Sequence, residues 1–201
     1  MNVILNFILY FLIFIIIHSA LAADYIKNKA KRLLGERYRF YRMIYTLISI
    51  LTFVPAFLLW IKYSGSTPLV YSIPRWAFPL IILARALALG IFVYASYQTD
   101  ILVFTGLKQT HEKSILITNG AYGIVRHPLY SSGILLLITK MEMSRLDLIA
   151  VLLVSIYLII GAYIEERRLL SIFGDEYRRY RQQVSMFIPV KWVKKQIAKL
   201  L

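Results

Sequence analysis

Apolar residues occur in long runs along this chain of 201 residues, and polar stretches separate the runs. Three runs in the N-terminal half cover residues 2–23, 43–61 and 76–97. A short run over residues 128–141 and a longer one over residues 146–164 follow in the C-terminal half. A helix needs about 20 mostly apolar residues to cross the roughly 30 Å core of a bilayer. The pattern therefore predicts an all-α, polytopic integral membrane protein with about five transmembrane helices.

The polar stretches are predicted to be connections between these spans. Residues 27–42 read as a basic loop, residues 62–75 as a polar turn region, and residues 98–127 as a long polar connection. Pro55 is expected to kink the second span. The first run also resembles a signal peptide, but no Lys or Arg precedes its apolar stretch, so a retained first helix is favoured.

The C-terminal half predicts a helical hairpin followed by an amphipathic tail. Residues 129–141 number 13, which makes roughly 20 Å of helix, shorter than a bilayer core. Pro128 suits the first turn of this short helix, where a missing N–H costs nothing. After the fifth span the helix is predicted to continue, because apolar residues recur at steps of three and four. These residues are Leu169, Leu170, Phe173, Tyr177, Tyr180 and Val184. A second basic amphipathic segment, residues 192–201, reads as an anchor at the lipid surface.

The distribution of positive charge predicts the orientation in the membrane. The formal net charge is +14. Seven, three and nine Lys and Arg follow the first, third and fifth spans, whereas two each follow the second and fourth, so 19 lie on one side and 4 on the other. Positive loops stay in the cytoplasm. We therefore expect the N-terminus outside, the C-terminus inside, and the charge to orient helices rather than bind nucleic acid.

Several kinds of site are not expected from the composition. The chain has no cysteine, so it has no thiolate nucleophile, disulfide or cysteine-based metal site. Its three histidines, His18, His111 and His127, lie far apart and form none of the usual metal-binding spacings. No metal is therefore expected as a partner.

Three groups of polar residues are predicted to meet on the cytoplasmic side: residues 120–130, the pair Glu165–Glu166, and His18 with Ser19 in the first span. Adjacent carboxylates at a membrane boundary are costly unless they are paired or solvated. A cationic ligand would offset that cost, but ion pairs with neighbouring arginines at a helix end would do so equally. His127 likewise reads either as a functional group or as the residue that precedes a helix-starting proline.

Arg85 lies near the middle of the third span. An arginine at that depth suggests a function by default. A structural role, in which the side chain pairs within the protein or reaches toward the interface, is favoured here.

The order and spacing of short motifs resemble those of the isoprenylcysteine carboxyl methyltransferase superfamily. The pattern Gly-x-Tyr-x-x-x-Arg-His-Pro-x-Tyr covers residues 120–130. Glu165–Glu166, the Phe-Gly-Asp-Glu-Tyr-x-x-Tyr stretch at residues 173–180, and Ile188–Pro189 follow in the same order. In the N-terminal half, His18–Ser19, residues 39–42 and residues 105–109 resemble a branch that includes methanethiol S-methyltransferases and membrane proteins associated with denitrification.

The resemblance implies a membrane methyltransferase that binds S-adenosyl-L-methionine without a Rossmann domain. No Gly-x-Gly-x-x-Gly motif is present, which agrees with that expectation. By resemblance, the cofactor contacts fall on a set of residues in the C-terminal half: Leu116, Ile117, Tyr122, His127, Pro128, Tyr130 and Glu165. A histidine that leads the Leu116 segment in the carboxyl methyltransferases is replaced by Ser114 here, with His111 three residues early.

One departure from the superfamily concerns the acceptor. The carboxyl methyltransferases carry an arginine one helical turn before the first glutamate, where this chain has Gly161. A carboxylate acceptor would lose a bidentate partner. We therefore expect a membrane-soluble acceptor such as a thiol or lipid amine rather than a prenylcysteine carboxylate. Glu165, His18 and Arg126 are the catalytic candidates, with His18 able to take a thiol proton, and Gly161 and Glu166 are the candidates that face the acceptor.

Two other functions remain open. Sterol-reductase-like membrane enzymes, which use NADPH, resemble this superfamily in their last helices. A non-catalytic membrane scaffold would bind no cofactor. The chain is expected to form a single membrane domain over residues 1–201. It would comprise three spans in residues 1–98, the cofactor-binding loop, hairpin and tail in residues 99–190, and a basic amphipathic end in residues 191–201.

Overall fold

The computed structural model describes residues 2–99 and 115–200. These residues pack into two compact units. Unit one contains residues 2–71 and 143–150, and unit two contains residues 72–99, 115–142 and 151–200.

Unit one is built around two apolar helices, α1 (Val3–Ala22) and α3 (Tyr41–Tyr63), which pack against each other. The side chain of Asn2 caps α1 by accepting from the backbone N–H groups of its first turn. The prediction of a loop between these spans is wrong, because the chain forms α2 (Asp24–Leu34) and a 3₁₀ helix (Gly35–Phe40) there. Lys, Arg, Ala and Leu, which dominate α2, are all good helix formers.

After α3, which runs through Pro55, unit one contains a short 3₁₀ turn (Ser64–Ser66). Strand β1 (Leu69–Ser72) then pairs with β2 (Glu142–Ser144) in a two-stranded sheet. Beyond β2 lies Asp147, a buried acid in the first turn of the long helix α6 (Arg145–Phe173). Its carboxylate accepts from the Ser144 backbone and hydroxyl and, at 2.8 Å, from the Trp60 indole. These bonds compensate for burying the charge.

Unit two begins with a 3₁₀ turn (Arg75–Ala77) and α4 (Phe78–Gln98), which packs against the short helix α5 (Pro128–Ile138). A further 3₁₀ turn (Gly120–Gly123) precedes α5, and α6 continues from unit one. Pro128 is the first residue of α5, as predicted.

Four helical stretches have the length and composition of a membrane span. These are Val3–Ala22, Asp24–Ser66, Arg75–Gln98 and Arg145–Phe173. The shorter apolar helix α5 accompanies them. The prediction of an all-α, polytopic membrane protein is thereby confirmed, with the small sheet as its one β element among the described residues.

Arg85 closes the C-terminal end of α5. Its Nη1 donates to the carbonyl oxygens of Leu136 at 3.2 Å and Thr139 at 2.9 Å. The last carbonyls of a helix lack intrahelical partners, and in an apolar environment an unsatisfied carbonyl costs several kcal/mol. Arg85 therefore lets an 11-residue helix end inside the apolar part of unit two.

The tail differs in one respect from the predicted continuous helix. Helix α6 extends well beyond residue 164, but it ends at Phe173, because Gly174 adopts φ 53° and a new helix, α7 (Asp175–Gln183), begins. Only glycine takes this conformation readily. The predicted apolar residues still form one cluster: Tyr177, Tyr180 and Val184 pack with Leu116, Leu169, Leu170 and Phe173. Helix α8 (Val190–Ile197) follows, in and before the segment predicted to be basic and amphipathic.

Candidate functional site

The Arg126-His127-Pro128 turn lies in unit two and is held by the last part of the tail. Residues 184–187, here called the C-terminal segment, run beside it and form an isolated parallel bridge, in which Ser185 pairs with Val125. The backbone N–H groups of Arg126 and His127 donate to the carbonyls of Ser185 at 2.9 Å and Met186 at 3.1 Å. The Ser131 hydroxyl donates to the carbonyl of Phe187 at 2.9 Å. The N-terminal end of α5 is therefore fixed by residues about 60 positions later.

Glu166 is buried and fully engaged. Its Oε1 lies 2.6 Å from Nη2 and 2.8 Å from Nε of Arg126, and 3.3 Å from Nε2 of His127. Its Oε2 lies 3.3 Å from Nε of Arg181. Arg126 also donates to the carbonyl of Val184. A carboxylate with two guanidinium partners and a ring nitrogen is compensated for its burial.

Glu165 differs from its neighbour, because its side chain is 46% exposed. Its Oε2 accepts from the Tyr130 hydroxyl at 3.1 Å and lies 3.7 Å from Nδ1 of His127. The hairpin of α5 and α6 thus brings Glu165 beside His127. Of the two adjacent carboxylates, one is enclosed by cations and the other is half exposed.

Aromatic rings form the walls around His127. The Tyr130 ring is stacked on the imidazole with centroids 5.4 Å apart and planes 9° apart, and the Phe187 ring lies 5.6 Å away.

Burial raises the pKa of Tyr122 to about 12, and the charge of Glu165 raises it further, while a hydrogen bond with Thr99 opposes both. Tyr122 is therefore neutral at physiological pH, and it lies close enough to Glu165 for the carboxylate charge to affect its pKa.

Helix α7 packs against this cluster from the tail. The Tyr180 hydroxyl donates to the Tyr122 carbonyl at 2.6 Å, which fixes the turn that carries Tyr122. Burial raises the pKa of Tyr177, and the charge of Glu166 raises it further while that of Arg126 opposes the rise. The buried Tyr177 side chain is thus a neutral neighbour of the Arg126–Glu166 pair.

The turn before Tyr122 requires a glycine at residue 120. Gly120 has φ 58°, and a Cβ there would collide with the side chain of Gln98 and the hydroxyl of Tyr94. The side-chain Oε1 of Gln98 accepts from the Ala121 N–H at 3.0 Å. Helix α4 therefore positions the turn that begins the motif.

The other predicted site residues occupy different surroundings. Leu116 packs on the Tyr177 cluster, and Ile117 beside it is half-buried. A Cβ at Gly161, one turn before Glu165, would meet no atom within 4 Å apart from the backbone of its own helix and its two chain neighbours. Residues 105–109, His111 and Ser114 lie outside the described residues.

His18 lies in unit one, between α1 and α3. Its Nδ1 is 2.9 Å from the Ser49 hydroxyl and its Nε2 is 2.7 Å from the Tyr45 hydroxyl. Both ring nitrogens therefore have hydroxyl partners, which suits a residue that joins two helices. The catalytic role of His18, like the roles assigned to the other site residues, stays a prediction.

Sequence reasoning missed several residues that build this site. Arg181, Ser131 and Phe187 were not predicted to contribute, nor was the C-terminal segment. The Ile188–Pro189 motif was the available signal, since it marks the end of the segment that pairs with the turn. Among the described residues, no group of three or more His, Asp or Glu side chains is arranged to hold a metal ion.

The fold and the site together define a multi-pass α-helical membrane protein with an Arg-His-Pro turn set against a pair of glutamates. The chain belongs to the NnrU protein family, whose model matches residues 6–136. This match agrees with the membrane methyltransferase branch to which the motifs point. It includes the Arg-His-Pro turn and Tyr130, and it ends before Glu165.

Curated relatives carry a methyltransferase name. A methanethiol S-methyltransferase of Pseudomonas sp. is 30% identical over 156 residues, which cover 74% of this chain and 59% of that protein. Methanethiol S-methyltransferase 1 of Bradyrhizobium diazoefficiens is 43% identical over 68 residues, 34% of this chain and 24% of that protein. The enzyme of the same name from Pseudomonas deceptionensis is 40% identical over 68 residues, 34% of this chain and 26% of that protein. The chain thus spans about three fifths of the first relative and about a quarter of the others. No solved structure matches it.

Proposed function

We propose that this protein is a membrane methyltransferase that uses S-adenosyl-L-methionine to methylate a small, membrane-soluble acceptor, with a thiol as the best candidate. The observation that carries the proposal is the difference between the two glutamates. Glu166 is neutralised within the protein, whereas Glu165 is open and flanked by Tyr130 and His127. The names of the relatives support the same reaction class.

The residues around Glu165 fit this cofactor chemically. A half-exposed carboxylate attracts an ammonium or sulfonium group, and the neutral faces of Tyr122 and Tyr130 suit a cation beside an aromatic ring. In this proposal the cofactor is held by residues of the motif and of α6: Tyr122, His127, Pro128, Tyr130 and Glu165. Leu116 and Ile117, in the segment before the motif, also contact it. When bound, the cofactor would supply a methyl group from its sulfonium sulfur.

The site is less suited to the phosphates of NADPH. Arg126 is the cation next to His127 in the chain, and its guanidinium is already bonded to Glu166 and to the Val184 carbonyl. A phosphate would have to displace these bonds. The open charge beside the histidine is negative, which favours a cationic ligand over a dinucleotide.

The acceptor end is proposed to lie near Gly161. No side chain occupies this position, and the space around its Cβ direction is open. An apolar nucleophile can approach there without meeting a charge. A thiol must give its proton to a base before it attacks. The protein otherwise contributes by orienting the two reactants, which is the main requirement of a direct methyl transfer.

Cofactor binding to the purified protein tests the proposal. Isothermal titration in lipid nanodiscs should show binding of S-adenosyl-L-methionine and none of NADPH. Glu165→Gln should weaken binding by roughly 10- to 150-fold, because a hydrogen bond to a charged group contributes about 1.5–3 kcal/mol. Glu176→Gln, which removes an exposed acid from α7, is the matched control and should bind like the parent protein.

A second measurement identifies the reaction. Labelled S-adenosyl-L-methionine is supplied with alkyl thiols, lipid amines and a farnesylcysteine analogue, and methylated products are separated. Thiol methylation is expected. Binding of NADPH in preference to the methyl donor would establish the reductase alternative, and binding of neither would refute both enzyme hypotheses.

A further inference from the structure

Helix α2 connects the apolar helices α1 and α3, and a change in backbone angles separates it from each of them. Ala23, between α1 and α2, has extended backbone angles of φ −66° and ψ 137°, so the chain changes direction there. Gly35, with φ 52°, ends α2, and the 3₁₀ helix then leads directly into α3. Because α1 and α3 pack side by side, both ends of the α2 connection are held at the same end of this helix pair. The connection is therefore tethered to the membrane surface.

The two faces of α2 differ in polarity. At 3.6 residues per turn, its apolar side chains fall within one half of the circumference: Tyr25, Ile26, Ala30, Leu33 and Leu34. No residue of α2 is buried, and the side chains of Tyr25 and Leu33 are 74% and 76% exposed. An exposed apolar face beside a membrane span indicates contact with lipid rather than with water.

The opposite half of α2 is basic. Lys31 and Arg32 are exposed on it. Lys29 falls within the apolar half, between Tyr25 and Leu33, and its long side chain can reach from there to the headgroup level. The helix carries a single acid, Asp24, whose carboxylate lies 3.8 Å from Lys27 Nζ. A strong positive excess therefore remains along the polar face.

We propose that α2 is an interfacial helix that binds anionic phospholipid headgroups while its apolar face lies in the outer part of the acyl region. The charge of the polar face complements anionic lipid, and the apolar face needs a partner that a water-exposed acidic peptide would not provide. Because α2 is joined to α1 at one end and through the 3₁₀ helix to α3 at the other, it stays next to the bilayer. The partner is thus the lipid of the leaflet next to the α1–α3 connection.

The absence of cysteine from the sequence allows a direct test with single labels. A polarity-sensitive fluorophore is attached to Leu33→Cys on the apolar face or to Asn28→Cys on the polar face, each in the full-length protein in nanodiscs. Spin-labelled lipid should quench the label on Leu33→Cys strongly, and aqueous iodide should quench it weakly. The label on Asn28→Cys should show the reverse.

Lipid preference is measured with the label on Leu33→Cys in bilayers that contain a trace of spin-labelled phosphatidylglycerol or spin-labelled phosphatidylcholine. Quenching by phosphatidylglycerol should exceed quenching by phosphatidylcholine. Each basic residue near an anionic surface contributes up to about fivefold, and high salt should reduce the preference. The Lys29→Gln, Lys31→Gln, Arg32→Gln triple variant should lose it, while the charge-conserving Lys29→Arg, Lys31→Arg variant should retain it.

Two outcomes would overturn the proposal. Equal iodide access to both labels would show that α2 stands in water, and the exposed apolar face would then belong to a protein partner. An unchanged ratio of phosphatidylglycerol to phosphatidylcholine quenching in the triple variant would show that the basic residues do not select lipid. The quenching pattern of the two labels requires no charge substitution, so it tests the location of α2 even if the triple variant is unstable.

Discussion

Neutralising Glu166 should lower the stability of the protein far more than neutralising Glu165, although the two substitutions are chemically identical and adjacent. In Glu166→Gln, the Arg126 guanidinium, whose side chain is only 8% exposed, loses its carboxylate partner at 2.6 Å. Breaking a buried ion pair by removing one partner costs about 3–5 kcal/mol. In a chain of this length that corresponds to a fall of roughly 6–20 °C in the unfolding midpoint.

Glu165→Gln removes a carboxylate that is 46% exposed. Exposed pairs contribute about 0–1 kcal/mol, and a glutamine can still accept the hydrogen bond from Tyr130. Thermal unfolding of both variants in identical nanodiscs measures the difference. The double variant Arg126→Gln, Glu166→Gln should be no less stable than Glu166→Gln alone, because the unpaired buried cation is gone.

Equal midpoints for the two single variants would refute the assignment of Glu166 as the buried, structural carboxylate. Additive losses in the double variant would do the same, since residues that act as one pair show a coupling energy of about 0.5–3 kcal/mol. The same preparations can be used for cofactor titration. There the order reverses, because Glu165→Gln should fold normally and bind poorly.

Three further predictions concern orientation, substrate and the membrane helices. A C-terminal reporter should be active only in the cytoplasm; a reporter active only outside the cell would contradict the charge-based topology. Gly161→Arg should raise turnover of a farnesylcysteine carboxylate relative to an alkyl thiol by about tenfold or more, because the space in the Cβ direction is open. Efficient methylation of the farnesylcysteine by the parent protein would show that another residue binds the carboxylate. Arg85→Met should lower the unfolding midpoint because two α5 carbonyls lose their donor. Arg85→Lys, which keeps a donor, should lower the midpoint less. A midpoint unchanged in Arg85→Met would mean that lipid-exposed carbonyls are tolerated there.

The membrane helices could be predicted well from the sequence because their signal is local. An apolar run of sufficient length has few alternatives in a bilayer. Helix α2 was missed because its apolar residues are interleaved with lysines, and a run of charge was read as a loop. The break at Gly174 depends on a single φ angle, and glycine is also tolerated within helices.

The site was predictable only in part, for a different reason. The motif residues His127, Tyr130 and Glu165 could be named by resemblance, and the hairpin explains why α6 returns to the start of α5. One partner of the buried Glu166 is Arg181, a tail residue that no motif marked. The pairing of the C-terminal segment with the Arg-His-Pro turn is likewise a contact between distant positions, and no local pattern specifies it.

The place of the C-terminal segment in the chain also sets an order of events during biosynthesis. In the described part of the chain, the helices long and apolar enough to cross a membrane precede residue 174, whereas Arg181 and residues 184–187 are made afterwards. Since chains fold from the N-terminus as they emerge, the helices can enter the bilayer before the turn at His127 acquires its backbone partners. Membrane insertion and maturation of the site are thus separable steps. A chain that lacks residues 181–201 would keep the membrane-length helices, but its Glu166 would lack Arg181 and its turn at His127 would lack its backbone partners.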